Sequence, residues 1–408
     1  MNALVFLGKS IGAGVVQQMS RACGRVEILA AENLCIPELP NVNVHRYPNF
    51  HDNGMVELDA LRIGRSLGDL QVFGVSEGDV LRVAALNDVL DTSGMRYQQA
   101  LQFRDKIRMK GAAEAGGISV PAYSSVAVPF DLVRFVDLHG YPLVIKPVSG
   151  SGGSGTTILR DVGDLERVLT SSQFSYKEIA ATHIVETFVE GDMYHVDGLV
   201  IDGKVELPFV SRYYNSCLSF QTGQNVGGYM LEAVNPLRAR MLDVMDDVAV
   251  SFSFAATSAF HLEVFHTPAD ELVFCEIACR AGGGAIMETF TTVCGFRYDE
   301  LAVLGTLDRR LLATAFEQYR NVTRLGGYLM VPPQRGCLRR FPEALPFEWV
   351  EHYMPNARVG ERYHIGSKVA DNILQAIVAG DSESSVASRL LELESWLSHE
   401  IEWELEDE

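Results

Sequence analysis

The sequence predicts a mixed α/β and α+β chain: a small parallel sheet at the N-terminus, then units built on antiparallel strands. Two observations carry this. Over the first hundred residues short apolar runs alternate with helical stretches, as in a parallel sheet with crossover helices. Further on, HLEVFHTPADELVFCEIACRAGGG (261–284) reads as a β-hairpin turning at residues 267–271, with Pro and Asp where turns favour them. The 408 residues suffice for two or three domains.

The elements follow in order. ALVFL (3–7) is a buried strand, followed by a tight turn (8–14) into a helix. Gly8-Lys9-Ser10 imitates the end of a P-loop, but that motif requires Gly five residues before Gly8, where Ala3 stands. VEILAAE (26–32) is a strand, and VFGVSEGDVLRVAALNDVL (72–90) a strand then a helix. A helix is expected over 96–115, stopped by Gly116-Gly117. ISVPAYSSV (118–126) is an edge strand, marked by Pro121. A helix (130–139), a strand (141–147), the glycine-rich SGSGGSGT (149–156), a strand (158–160) and a helix (162–169) come next. A strand (183–189) enters a hinge at Glu190-Gly191, and strands 195–200 and 205–210 join at Asp202-Gly203. Residues 213–228 are polar, Gly-rich and long for an idle connection, so a mobile lid is expected. A helix (237–253) packs on the hairpin, a long helix covers 385–398, and the acidic tail EIEWELEDE (400–408) is expected to be solvated. Boundaries fall at 1–95, 96–190 (including the helix 96–115) and 191–408.

A formal net charge of −19, from 53 acids against 34 bases, argues against nucleic-acid and anionic-membrane partners, which require a positive footprint. The seven cysteines are scattered, with no zinc spacing, and read as reduced thiols of a cytoplasmic protein. Met1 runs straight into a strand with no leader pattern. No apolar run reaches the roughly 18 residues of a transmembrane helix.

A hairpin turn centred between Ala269 and Asp270 sets Glu263 opposite Glu276, with Cβ atoms roughly 5 Å apart. Leu262, Val264, Val273, Cys275 and Ile277 then share the other, apolar face. Opposed carboxylates destabilise a sheet unless a cation lies between them, and hard oxygens suit Mg²⁺ on nucleotide phosphates. Two solvated glutamates on an exposed face are the plain alternative. YPLVIKPVSGSGGSGTTIL (141–159) delivers Lys146 from a strand into glycines at 150, 152, 153 and 155. Such a turn can close backbone N–H groups over phosphate oxygens, with Lys146 as a point charge. Its alternative is a flexible loop beside an ordinary lysine.

Together these residues resemble the ATP-grasp superfamily over residues 95–310. The resemblance implies an ATP-grasp fold: a Rossmann-like N-terminal domain, a central lid subdomain and a C-terminal catalytic subdomain. It implies ATP and Mg²⁺ (or Mn²⁺) as cofactors, and an acyl phosphate attacked by an amine. By the same resemblance Lys106, in RDKIRMK, and Lys146 contact phosphates, and Ser151, Gly152, Gly153 and Ser154 form the glycine-rich lid. Glu186 and the backbone of Phe188 and Val189, in ETFVEGD (186–192), would read adenine. Glu263 and Glu276 match the metal carboxylates, and Arg280 the arginine that steadies the transferred phosphoryl group, so Lys146 and Arg280 are the catalytic candidates. EIACRAGGG (276–284), the thirteen-residue spacing of the two glutamates and GGYLMVPPQRGCL (326–338) look like the L-amino acid ligases and related antibiotic-pathway ligases.

Two departures stand out. Many superfamily members carry a metal-binding Asn where this chain has Ala278, which faces His261 across the hairpin. His261 or water is a candidate for the gap, against a core or substrate-facing role for His261. Met193 stands where an acid often holds the ribose, leaving Asp192 or Asp197. Arg212 and Arg297 are candidates for holding a substrate carboxylate, against surface ion pairing, and His195 for accepting the amine proton, against a structural role. The expected activity joins a carboxylate, such as an amino acid's, to an amine as a dipeptide or related amide, releasing ADP and phosphate. A homodimer is plausible by resemblance. One alternative loads the amino acid onto a carrier-protein thiol, for which Arg335, Arg339 and Arg340 are the obvious basic cluster. Another is a nucleotide-binding protein without catalysis, motivated by Ala278 and Met193.

Overall fold

The structure, a computed structural model, describes residues 1–171, 181–215, 218–366, 368 and 371–405. Among these the strands form four sheets. The first holds β1 (Asn2–Leu7), β2 (Val26–Ala31), β3 (Val42–Tyr47) and β4 (Leu70–Gly74), all parallel, in the order β3-β2-β1-β4. The apolar run of β1 is buried on both faces, as a parallel sheet requires. Val5 and Leu7 pack with Val15, Val16 and Met19 of the helix Ala13–Ala22, while Leu4 and Phe6 meet Val56 and Ala60 of the helix Met55–Ser66. β3 and that second helix were not expected. β3 is an edge strand, VNVHRY, with Asn43 and Arg46 exposed, and it lacks the continuous apolar run that marks β1.

The second sheet is antiparallel: β5 (Tyr123–Val126), β6 (Leu143–Pro147), β7 (Thr157–Leu159) and β8 (His183–Thr187), in the order β5-β8-β6-β7. β5 is the edge, as expected, but it starts at Tyr123. The backbone before it serves elsewhere, with the Ser119 carbonyl accepting from Phe274 N at 2.8 Å. The helix expected over 96–115 is broken into a helical turn Tyr97–Ala100, a 3₁₀ turn Leu101–Phe103 and a helix Lys106–Ala115. Asp105 causes the break: its carboxylate accepts from the N–H groups of Ile107 and Arg108, which starts a fresh helix at Lys106.

The rest of the chain supplies β9 (Asp192–Ile201), β10 (Lys204–Tyr213), β11 (Val226–Met230), β12 (Thr257–His266) and β13 (Leu272–Ala278). Then come β14 (Leu325–Val331), β15 (Gly336–Arg340), β16 (Val350–Pro355), β17 (Arg362–Tyr363), β18 (Leu374–Gly380) and β19 (Glu402–Leu405). Eight of them form one antiparallel sheet, β13-β12-β9-β10-β11-β14-β18-β16, and the others a small sheet β17-β15-β19. The helix Pro236–Ser251 lays Met241, Met245 and Val248 against Leu262, Val264 and Phe274 of the hairpin, as expected.

The hairpin register pairs Glu263 with Glu276 and His261 with Ala278, as the sequence implied. Beyond Glu263 it shifts: Val264 pairs with Phe274, so Cys275 is the extra residue of a β-bulge. This corrects the expected apolar face. Phe274 packs with Val264 under the hairpin, Val273 is buried but outside that cluster, and Cys275 lines the cavity that Glu263 and Glu276 also line. A strict two-residue period cannot reveal a bulge.

Two further expectations need correction. Tyr213 ends β10 and Val226 begins β11, so the loop is 214–225, with residues 216 and 217 outside the described residues. The acidic tail is not simply solvated, because Glu402–Leu405 is β19, paired with β15. Residues 406–408 lie outside the described residues. No described helix is long and apolar enough to cross a membrane.

Candidate active site

A cavity of about 470 Å³ lies between the second sheet and the large one. Lys106, Lys146, Ser151, Gly152, Gly153 and Ser154 line one side. Glu186, Phe188, Val189 and Asp192 line the strand-to-strand connection, and Glu263 and Glu276 the far wall. The structure thus brings these twelve sequence candidates together on one cavity, but not Asp197, His261 or Arg280.

Gly152, Gly153 and Gly155 all take left-handed φ values, between 61° and 72°, which favour glycine. A Cβ on Gly153 would lie 3.0 Å from Leu218 and 3.1 Å from Phe220, so this loop packs on the 214–225 loop. Gln221 also donates to the Thr156 carbonyl at 3.0 Å. The two expected lids therefore touch.

Buried charges set the electrostatics. Lys106 donates to the Gly150 carbonyl at 2.7 Å and stands 3.3 Å from Glu276, tying the loop to the hairpin. Lys146 lies 3.0 Å from one oxygen of Glu186, and Lys110 lies 3.5 Å from the other. Lys110 also donates to the Phe274 carbonyl at 3.1 Å. Burial would raise the pKa of Glu186, but Lys146 and Lys110 overcome it and hold the carboxyl low. Burial likewise opposes the charge on Lys146, yet Glu186, Cys275 and Glu276 raise its pKa well above the ordinary lysine value. Lys110 goes the other way: burial lowers its pKa and its more distant carboxylate compensates only partly. For Glu276 burial would raise the pKa, while Lys106, Lys146 and Arg280 bring it down to about 2.

Glu263 is held from one side. Its Oε1 accepts from the Tyr213 hydroxyl at 2.7 Å and lies 3.5 Å from His261 Nε2. The cross-strand carboxylates thus face one cavity beside two lysines, and their hard oxygens fit a divalent cation carrying phosphates.

Arg280 does not line this cavity. Its Nε donates to Glu77, in the segment after β4, and Glu77 also pairs with Arg104. Burial opposes a low pKa for Glu77, but Arg280 and Arg104 hold it down. Arg280 instead lines a second cavity of about 310 Å³ between β4, residues 93–95 and the start of β12.

Several secondary candidates are corrected. Asp197 cannot serve the ribose, being fully buried between His195 and His261. His195 is itself buried against Asp197 and lines neither the 470 Å³ cavity nor the 310 Å³ cavity that Arg280 lines, which favours the structural role. For His261 burial opposes the charge, but Asp197 and Glu263 raise the pKa to about 10, and its Nδ1 is engaged by Asp197 at 2.9 Å. Asp192 reaches the cavity while paired with Arg212 at 2.8 Å. Arg297 is engaged by Glu288 and Asp299. Of the basic cluster, Arg339 pairs with Glu404 and Arg340 with Glu402, both from β19.

Sequence reasoning missed Lys110, Glu77 and Tyr213. Lys110 had a signal, four residues after Lys106 on one helix face. Glu77 follows the carboxyl end of a parallel strand, where open α/β sheets bind ligands. Tyr213 had none.

The L-amino acid ligase from Bacillus licheniformis superposes with a TM-score of 0.75 at 16% identity, covering 100% of this chain and 99% of that one. The carboxyaminoimidazole ribonucleotide synthase from Aspergillus clavatus, solved with ATP, gives 0.68 at 13% identity, covering 97% and 98%. The fold is the ATP-grasp fold. No protein-family profile matches the chain. The L-arginine-specific L-amino acid ligase of Bacillus subtilis is 27% identical over 217 residues, 53% of this chain and 52% of that protein. The match thus spans about half of that relative's length. A formate-dependent phosphoribosylglycinamide formyltransferase of Burkholderia thailandensis is 26% identical over 299 residues, 70% of this chain and 72% of that one. Within the ATP-grasp fold, this chain resembles the carboxylate–amine ligases, L-amino acid ligases among them.

Proposed function

We propose that the protein is an ATP-dependent ligase that activates an amino acid carboxylate as an acyl phosphate and couples it to an amine, releasing ADP and phosphate. The supporting observation is the opposed pair Glu263 and Glu276 on a cavity that also receives Lys106, Lys146 and the glycine-rich loop. A carboxylate is a poor electrophile, and phosphorylation turns one oxygen into a leaving group. Phosphoryl transfer needs positioning and charge neutralisation more than covalent help. Lys106 and Lys146 would hold the phosphates, with adenine against Glu186, Phe188 and Val189 and the ribose near Asp192. Glu263 and Glu276 would hold Mg²⁺, or Mn²⁺, which neutralises phosphate charge when bound. An acyl phosphate hydrolyses readily, so the contact of Gly153 with Leu218 and Phe220 suits a closure that excludes water.

Arg280, oriented by Glu77, would stabilise the oxyanion as the amine attacks. An amino acid carries both charges, and Arg280 stands near both, with Glu77 paired to it and Lys9 close enough to feel its charge. A carrier-thiol acceptor finds less support, because β19 neutralises Arg339 and Arg340. A dipeptide or antibiotic-type product, a cytoplasmic location, a homodimer and the domain boundaries near residues 95 and 190 complete the reading.

The test is ADP and phosphate release with Mg·ATP over all pairs of common amino acids, with L-arginine pairs first and Glu276→Ala as the control. Pair-dependent release that the variant abolishes is expected. ATP binding without release in any mixture would instead favour the nucleotide-binding reading.

A further inference from the structure

We infer that Asp197, His261 and Tyr213 form a positioning relay that presents Glu263 to the metal through one oxygen, Oε2. The inference rests on the reading of Glu263 as a metal carboxylate.

The relay runs across three neighbouring strands, β12, β9 and β10. Asp197, on β9, is fully buried. Its Oδ2 lies 2.5 Å from His195 Nδ1 and its Oδ1 2.9 Å from His261 Nδ1. An ionised carboxylate only accepts, so His261 donates from Nδ1 and its ring is fixed. The far nitrogen, Nε2, then points at Glu263 Oε1 from 3.5 Å. From β10, the Tyr213 hydroxyl donates to the same oxygen at 2.7 Å. Both partners fall on Oε1, and Oε2 has no hydrogen-bond partner among the described residues.

This is how outer groups orient a metal carboxylate: they occupy one oxygen and leave the other. The arrangement matters more here because Ala278, directly across from His261, offers no side-chain ligand. The loop after β13 is shaped around the relay. A Cβ on Gly282 would lie 2.7 Å from Asp197 Oδ1 and 3.1 Å from His261 Nδ1, so only glycine lets that backbone pass.

The experiment measures Mn²⁺ binding by electron paramagnetic resonance, with a non-hydrolysable ATP analogue present, for the wild type, His261→Ala, Tyr213→Phe and Glu263→Ala. Thermal unfolding monitors the fold, and analogue binding without metal is measured separately. Losing such an outer partner weakens metal binding about 10-fold to 100-fold. The expected result is a Mn²⁺ Kd raised about tenfold in both His261→Ala and Tyr213→Phe, with metal-free analogue binding affected far less. Folded variants that bind Mn²⁺ within twofold of wild type would overturn the relay. If His261→Ala does not fold, Tyr213→Phe, which removes a single oxygen atom, decides alone. Wild-type Mn²⁺ affinity in Glu263→Ala would overturn the metal reading itself, a separate failure.

Discussion

Lys110→Met asks how Glu186 stays charged while ATP is bound. Glu186 is 5% exposed and has two cations, Lys146 at 3.0 Å and Lys110 at 3.5 Å. In the proposed mechanism ATP draws Lys146 toward its phosphates, which leaves Lys110 as the cation of a buried carboxylate. Close buried charge pairs are coupled by about 1.5 kcal/mol upward, and at this separation we take about 1.5–3 kcal/mol, the lower part of that range, for the interaction. At 1.4 kcal/mol per factor of ten, its loss weakens ATP binding about 10-fold to 150-fold. Stability should respond less. Methionine keeps the unbranched stem, so little cavity opens. Burial already disfavours the Lys110 charge, so removing it relieves a cost while losing the bond to the Phe274 carbonyl. Titration calorimetry with a non-hydrolysable analogue and Mg²⁺, alongside thermal unfolding, separates the two effects. A folded Lys110→Met protein that binds the analogue within twofold of wild type would refute the reasoning.

Two more predictions follow from the same geometry. Gly153→Ala forces a side chain into φ +72°, at a cost of about 1–2 kcal/mol, and against Leu218. ATP turnover should fall about 5-fold to 30-fold while the unfolding temperature stays near wild type, since the strain falls on a loop; unchanged turnover would show that the loop does not close as argued. Asp79 is buried, one oxygen has no hydrogen-bond partner, and burial raises its pKa despite Ser76 and Gly8. The folded state therefore holds this proton more tightly than the unfolded chain. Its contribution to stability falls as pH rises from the ordinary value of 3.8 through the raised one. Unfolding temperatures across acidic pH should show this component in wild type and lack it in Asp79→Asn; identical profiles would discount it.

The sequence by itself determined the local parts. The Glu263–Glu276 register, the glycine loop beside Lys146 and the strands β1, β2 and β4 of the N-terminal sheet were legible. Each follows from a two-residue period, turn chemistry or a buried apolar run, signals confined to a few neighbouring residues. Tertiary structure decided the rest. The bulge at Cys275 answers to the packing of Phe274, which also donates a backbone hydrogen bond to the Ser119 carbonyl. Tyr213 reaches Glu263 only because β9 lies between β10 and β12, and its partner is 50 residues away. Asp197 meets His261 over 64 residues, and Arg280 finds Glu77 over 203. A charged side chain's sequence neighbours state that it is charged. Which buried group answers that charge depends on which strands the whole sheet brings side by side, and no local window records that order.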